Sequence, residues 1–332
     1  MADRIVERIV HAPRAGVNDG HHDTAERFLD ALAPTQPRWM HGRWIFRGHA
    51  NAEWELKASA VRDTRAFDPF DIRLPTERRP AWSVREDRVR ILLAHFARRL
   101  DEAGISIPSE SPRVVPLRAS AALPSAADRE VYPLMALAQH HGLPTLLLDW
   151  TRRSRFAAYF AAAGVAGKEG DPVLGTHLAV WALQTDFAMG SFADLGPRPG
   201  DGVREGTYLE EYQAPSATNP NMRAQAGLFT ILTSPDDSSI ERHFDKGFVA
   251  NGLPSPLWRL TLPHAEARKL MQLLAYEGID GASMFPGSDG VVKAMRESAI
   301  WNEPTTMRMA VRRDDEGSIE AGMPRRHDTE QS

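Results

Sequence analysis

The sequence predicts an α+β fold. Short strand-like runs are scattered among helical stretches of uneven length and spacing, without the regular alternation of a βαβ series. No internal repeat is visible. At 332 residues the chain can form one large domain or two small ones and bury a substantial core.

In chain order, residues 1–20 are polar and expected to form a flexible N-terminus. A single domain is expected over residues 21–311. From 312 to 332 the tail is charged and nearly free of large apolar residues, a composition that predicts disorder. Thr24 to Leu32 reads as a short helix, with Ala25, Phe28, Leu29 and Leu32 on one side. Arg43 to Gly48 (RWIFRG) reads as a strand: Trp44 and Phe46 point one way, Ile45 and Arg47 the other, and Gly48 ends it. Asn51 to Arg62 favours neither state and is anchored by Trp54, Leu56 and Val61. Residues 64–128 form a predicted helical insertion between the first and second strands. At its centre, Ser83 to Leu100 places Val84, Val89, Ile91, Leu92, Phe96 and Leu100 on one side. Its many arginines are interleaved with Glu77, Glu86, Asp87, Asp101 and Glu102, which predicts a solvated, salt-bridged face rather than a nucleic-acid surface. A Pro/Ser/Ala-rich connector, 108–127, and a helix from Asp128 to Gln139 follow.

The stretch Gln139 to Phe160 (QHHGLPTLLLDWTRRSRFAAYF) carries the richest pattern. His140 and His141 precede a turn marked by Gly142 and Pro144. Thr145 to Asp149 reads as a strand buried on both faces. Through Asp149, Trp150 and Thr151 it passes into a helix with Phe156, Ala157, Tyr159, Phe160 and Ala163 at helical spacing. Polar groups at a strand end, beside the unpaired N–H groups of a helix start, suit a ligand site. The competing reading is that Thr151 or Ser154 caps the helix and Asp149 bonds only backbone. Downstream, Thr176 to Leu183, Ala226 to Leu232 and Leu257 to Leu262 are predicted strands, and Gly190 to Gly206 a long surface loop. A helix is expected from Pro263 to Glu277, stopped by Gly278. A turn-rich loop over 281–290 and a last helix from Val291 to Trp301 complete the reading.

Composition removes whole classes of function. The net charge is −4, so nothing draws the chain as a whole to nucleic acid or a membrane. There are no cysteines, which excludes disulfides, thiolate nucleophiles and Cys-ligated zinc. The N-terminus has no apolar core of a signal peptide, and no apolar run approaches the roughly 20 residues of a bilayer span. A cytoplasmic protein without a membrane partner is expected. No P-loop, dinucleotide-binding glycine motif, zinc-protease helix or nucleophile elbow occurs. Adjacent histidines on an extended backbone point to opposite faces and cannot readily share a metal, so no metal is expected. What remains is Arg47, His140, His141, Asp149-Trp150-Thr151 and Gln225. Arginine suits bidentate capture of phosphate, and Trp150, Tyr159 or a histidine could stack on a flat ring, together a pocket for a nucleotide. The alternative for Arg47 is a structural ion pair, with Asp149 the natural partner.

The run Trp44-Ile-Phe-Arg-Gly48, with Trp54, Leu56 and Arg62, resembles the signature that names the FRG (Phe-Arg-Gly) domain. Gln139-His-His-Gly-Leu-Pro-Thr145, Leu147-Leu-Asp-Trp-Thr151 and the helix through Phe160 are similar to that family's longest motif. Asn219-Pro220 with Gln225 to Ile231, and Gly278-Ile279 with Ser283 to Asp289-Gly290, resemble its later blocks. The order is kept from about residue 40 to 300. Two positions depart: His141 stands where the family usually has an aromatic residue, and Gly287 replaces the first of two acids, while Asp289 keeps the second.

The block order resembles an ADP-ribosyltransferase core, and this resemblance implies a small split β-sheet with flanking helices. It implies NAD as substrate and a protein or nucleic-acid acceptor. A toxin or defence effector with an antitoxin or regulatory partner would fit. Arg47, Asp149 and Gln225 take the catalytic positions. Arg47, His140, His141, Thr145, Trp150, Thr151 and Tyr159 would hold NAD. The Glu that such cores carry on a later strand has no counterpart in Arg223-Ala-Gln-Ala-Gly227. Asp149 is the best substitute carboxylate. A non-catalytic nucleotide- or nucleic-acid-binding module and an NAD glycohydrolase are the competing functions.

Overall fold

Thr24 opens the first helix, α1 (Ala25–Ala31), by accepting a hydrogen bond from the Arg27 N–H at 3.4 Å. Phe28 and Leu29 bury its inner side. The computed structural model describes residues 14–63, 65–72, 74, 81–106, 129–168, 171–188, 208–214, 220–233 and 239–301. The predicted connector 108–127, loop 190–206 and tail 312–332 lie outside these residues.

Seven strands form one mixed sheet in the order β1-β7-β4-β2-β3-β6-β5. They are β1 (Asn18–His21), β2 (Trp44–His49), β3 (Leu147–Thr151), β4 (His177–Gln184), β5 (Tyr208–Tyr212), β6 (Gly227–Thr233) and β7 (Leu257–Pro263). β1 runs parallel to β7, and all other pairs are antiparallel. The small split sheet expected from the sequence is thus a larger continuous one, but with a weak join. β2 pairs with β4 over six residues, whereas β2 and β3 share the single register pair Phe46↔Thr151. Beyond it the two strands part.

Side-chain alternation distributes three cores around this sheet. Ile45, Leu148, Trp150, Trp181, Leu183 and Leu228 fill one face. On the other, Phe46, Val180, Ala182 and Leu260 pack beneath α1, α5 (Ser154–Val165) and α9 (Ala267–Tyr276). Beside them, Leu147, Phe229 and Ile231 pack under α3 (Ala81–Glu102) and α4 (Tyr132–His140). The insertion is therefore part of the core: Val89, Leu92, Leu93, Ala97 and Leu100 of α3 are buried, while Ile91 and Phe96 sit at its margin. Its outer face carries the expected ion pairs, such as Arg90 with Asp87 at 2.8 Å.

The structure corrects several expectations. Residues 18–21 are not part of a loose terminus. They form β1, a polar edge strand whose Asp19 carboxylate meets the buried Arg259 guanidinium at 2.6 Å. β5, YLEEY, is a second unpredicted edge strand. The 281–290 loop contains α10 (Gly281–Met284), closed by a capping box between Asp280 and Ser283, and the start of α11 (Ser288–Trp301). Pro263 ends β7 rather than starting a helix, and a 3-10 turn precedes α9. Gly48 lies inside β2, where strand and helix approach so closely that a Cβ would stand 2.0 Å from the Ala157 carbonyl oxygen of α5.

Candidate functional site

The split between β2 and β3 is filled by a side chain. Ile45, Arg47 and His49 project from one face of β2. Arg47 turns into the gap, and its Nη1 donates to the Asp149 carbonyl oxygen at 2.6 Å, where a sheet hydrogen bond would otherwise lie. The same nitrogen stands 2.7 Å from the Asp149 carboxylate. The ion pair weighed in the sequence reading is thus formed.

Asp149 is not at the strand end. It is the central residue of β3, opposite Phe229, because the strand extends two residues further than its leucines suggest. Its side chain keeps 62% of its surface open, whereas that of Arg47 keeps 12%. Crowding by neighbouring atoms works against ionisation of Asp149. The Arg47 guanidinium outweighs it and holds the carboxyl below the ordinary carboxylate range. The open edge decides its energetic weight, which is that of a solvent-bordered pair.

Behind Arg47 stands His49, buried and missed in the sequence reading. Arg47 Nε donates to His49 Nε2 at 2.9 Å, and Trp181 Nε1 stands 3.2 Å from His49 Nδ1. Both neighbours are obligatory donors, and a neutral imidazole offers one acceptor nitrogen, so the shorter Arg47 contact is assigned the lone pair. Burial and then the charge of Arg47 lower the histidine well below its usual range, so it stays neutral. The alternation of β2 was the signal available, since it puts His49 on the same side as Arg47.

On the other side, Thr145 Oγ1 donates to Gln139 Oε1, and Gln139 Nε2 reaches Asp149 Oδ1 at 3.4 Å. Thr145 also bonds Ser59 through its backbone N–H, at 3.1 Å. A crevice of about 170 Å³ opens here, its wall including Arg47, Lys57, Ser59, Arg62, Gln139 and Asp149, with Thr145 buried behind it. Lys57 pairs with Glu55 at 2.6 Å. Burial, followed by the charge of Arg47, lowers the Arg62 guanidinium. Two guanidinium groups and one carboxylate therefore line the wall, with Asp63 acting on Arg62 from outside it.

The remaining candidates are placed elsewhere. His140 ends α4 and His141 caps it. Both are exposed, with rings 5.2 Å apart, and neither lies on the extended backbone expected. Trp150 is buried on the face of β3 opposite Asp149, and its Nε1 donates to Thr230 Oγ1 at 2.8 Å, which leaves no ring face for a ligand. Tyr159 is buried under α11, where its hydroxyl donates to Glu297 at 2.6 Å. Thr151 Oγ1 donates to the Gln225 carbonyl at 2.7 Å and accepts from the Arg153 N–H at 3.1 Å, tying β3 to the start of β6. Ser154 donates to the Leu32 carbonyl and caps nothing. The Gln225 amide donates to the Met284 carbonyl at 3.1 Å. Of the predicted site, then, Arg47, Thr145 and Asp149 come together, joined by Gln139, His49 and Arg62.

The residues that build the crevice coincide with a known family pattern. Residues 42–169 match the family model of the FRG domain. The FRG match includes β2, the inserted helix α3, α4, β3 and α5, and with them Arg47, His49, Arg62, Gln139 and Asp149. Gln225 and the last four strands, β4 to β7, lie beyond it. No curated protein and no solved structure matches the chain. Among the described residues, no helix is long and apolar enough to cross a membrane.

Proposed function

We propose that the chain is an NAD-dependent ADP-ribosyltransferase acting on a protein or nucleic-acid acceptor, in the setting of a toxin or defence effector. The observation that carries this reading is the crevice at the split: an ionised Asp149 carboxylate beside the guanidinium groups of Arg47 and Arg62. Its charges complement NAD, which carries an anionic pyrophosphate and a cationic nicotinamide ring on one ribose. The sheet order supports it as well. The Arg47 strand, the Asp149 strand and the strand introduced by Gln225 stand side by side as β2, β3 and β6.

In this mechanism Arg47 and Arg62 hold the pyrophosphate, and Asp149 lies beside the ribose that develops positive charge. The C1′–N bond breaks with its electron pair passing to the nicotinamide ring. The acceptor nucleophile then bonds C1′ and gives up its proton to solvent. Asp149 stabilises the oxocarbenium-like state electrostatically, and the clamp orients it. Gln225 contributes position rather than chemistry, because its amide and carbonyl both tie loops together. His49 keeps the Arg47 fork turned into the split. The crevice admits a phosphate group and the adjoining sugar, and leaves the reacting carbon open to a large acceptor.

Nicotinamide release from NAD by pure protein, with and without added DNA, RNA or cell lysate, tests the proposal. Release coupled to a labelled macromolecule is the expected result. Release without labelling would indicate NAD hydrolysis, binding without release a nucleotide-binding module, and no NAD binding at all would reject the reading.

A further inference from the structure

A second, larger pocket lies on the opposite face of β2, beyond the Phe46↔Thr151 pair, and has a volume of about 460 Å³. Its walls are aromatic: Trp39, Trp44, Phe46 and Phe156. Trp39 meets Trp44 and Phe46 edge-on, at centroid distances of 4.9 and 5.5 Å, so the three rings brace one another. Trp44 is only partly buried. Its Nε1 is held by the His41 carbonyl at 2.9 Å, which fixes the indole in place.

Three cations, Arg152, Arg153 and Arg155, border these rings. Arg152 is held by Glu211 at 2.9 Å, and Arg155 by Glu277 at 3.1 Å and the Leu29 carbonyl. Arg153 differs. It has no acidic partner among the described residues, it is exposed, and its guanidinium lies over the Phe156 ring at 5.1 Å. The pocket therefore combines a rigid aromatic wall with one uncommitted guanidinium at its rim. An apolar ligand would leave that charge unused, and a simple anion would leave the indole of Trp44, the partly open ring of this wall, uncovered. A flat ring carrying a phosphate satisfies both.

We infer that this pocket binds a molecule of the mononucleotide class, its base against Trp44 and its phosphate at Arg153. Free mononucleotides and the adenylate half of a dinucleotide share this chemistry. The site is distinct from the Arg47 crevice and does not depend on the activity proposed for it.

The intact protein is titrated with AMP and followed by calorimetry and tryptophan fluorescence. Saturable binding with a change in indole emission is expected, tighter than binding of adenosine or inorganic phosphate. Arg153→Glu replaces an exposed side chain and should weaken AMP binding at least about tenfold, whereas Arg99→Ala, on the outer face of α3 and away from both pockets, should leave it within about twofold. Trp44→Leu should weaken AMP binding and remove the fluorescence response. NAD then separates the two sources. If Arg153→Glu also weakens NAD binding, the pocket holds the adenylate half of the dinucleotide, and if not, it takes a free mononucleotide. Absence of saturable AMP binding, affinity no greater than for adenosine, or sensitivity to Arg47→Ala with none to Arg153→Glu would overturn the assignment.

Discussion

Replacing Asp149 by asparagine separates catalysis from architecture at a single atom. The variant keeps the size of the side chain and removes its charge. If Asp149 served only to neutralise a buried arginine, its loss would cost several kcal/mol. The geometry argues for far less. The carboxylate is 62% open, and Arg47 retains two further acceptors, the Asp149 carbonyl at 2.6 Å and His49 Nε2 at 2.9 Å. A pair of that kind contributes about 1 kcal/mol or less, so the melting temperature should fall by no more than about 4 °C. Turnover should fall about a hundred- to a thousand-fold if the charge stabilises the transition state. Since Arg47 holds the carboxyl below its ordinary value, the defect should be constant between about pH 5 and 8. Thermal melts and nicotinamide release on Asp149→Asn decide the matter. A melt lowered by about 10 °C with activity lost in proportion would show a structural role, and full activity would exclude Asp149 from catalysis.

Three other outcomes follow from the same geometry. Arg47→Lys keeps the charge but loses the fork that reaches Asp149 and His49 together, so NAD affinity should drop by roughly 1–3 kcal/mol by calorimetry. Gly48→Ala would press a Cβ against the backbone of α5 at Ala157 and Ala161, and should destabilise the fold by about 1–3 kcal/mol or more in urea denaturation. His22 and His243 are lowered from 6.5 to about 4, in both cases by burial first. Both stay neutral in the fold, whereas the unfolded chain takes up their protons near pH 6.5. Stability should therefore decline from about pH 6.5 down to about pH 4, by roughly 2 kcal/mol for each histidine at pH 5. Urea midpoints at pH 7 and pH 5 in the single and double His→Gln variants measure this, and a wild-type midpoint that does not move would contradict it.

Much of the fold was legible because its central strands are apolar on both faces. β2, β3, β4, β6 and β7 announce themselves through Ile45, the three leucines before Asp149, and the Val180 and Leu260 runs. α1 was legible from Thr24 and its apolar spacing. The missed strands lie at the edges: β1 is held by Asp19 and Arg259, β5 by Glu210 and Glu211 with Arg129 and Arg152, and such ion pairs leave no periodic apolar signal. At the site, residue type pointed to Arg47 and Asp149, which the fold brings together as an ion pair. It misplaced Trp150 and Tyr159 because a ring able to stack on a ligand is equally able to fill a core, and only the facing helices decide which. Gln139 and Arg62 belong to the recognised motifs, but their convergence on Asp149 depends on the β2–β3 split, which no local pattern specifies.

The lone β2–β3 bridge also bears on how the chain reaches this state. It divides the sheet into a block of β1, β7, β4 and β2 and a block of β3, β6 and β5. The β2–β3, β3–β4, β4–β5 and β6–β7 connections each pass from one block to the other, so neither block is a continuous piece of sequence. β1 has no strand partner until β7 exists, and Asp19 must wait for Arg259, 240 residues later. A chain emerging from the ribosome would hold β1 unpaired until β7 had followed, whereas β2 meets β3 and β4 earlier. Completion of the sheet is therefore deferred until after translation of β7, with slow, non-local pairing as the last step.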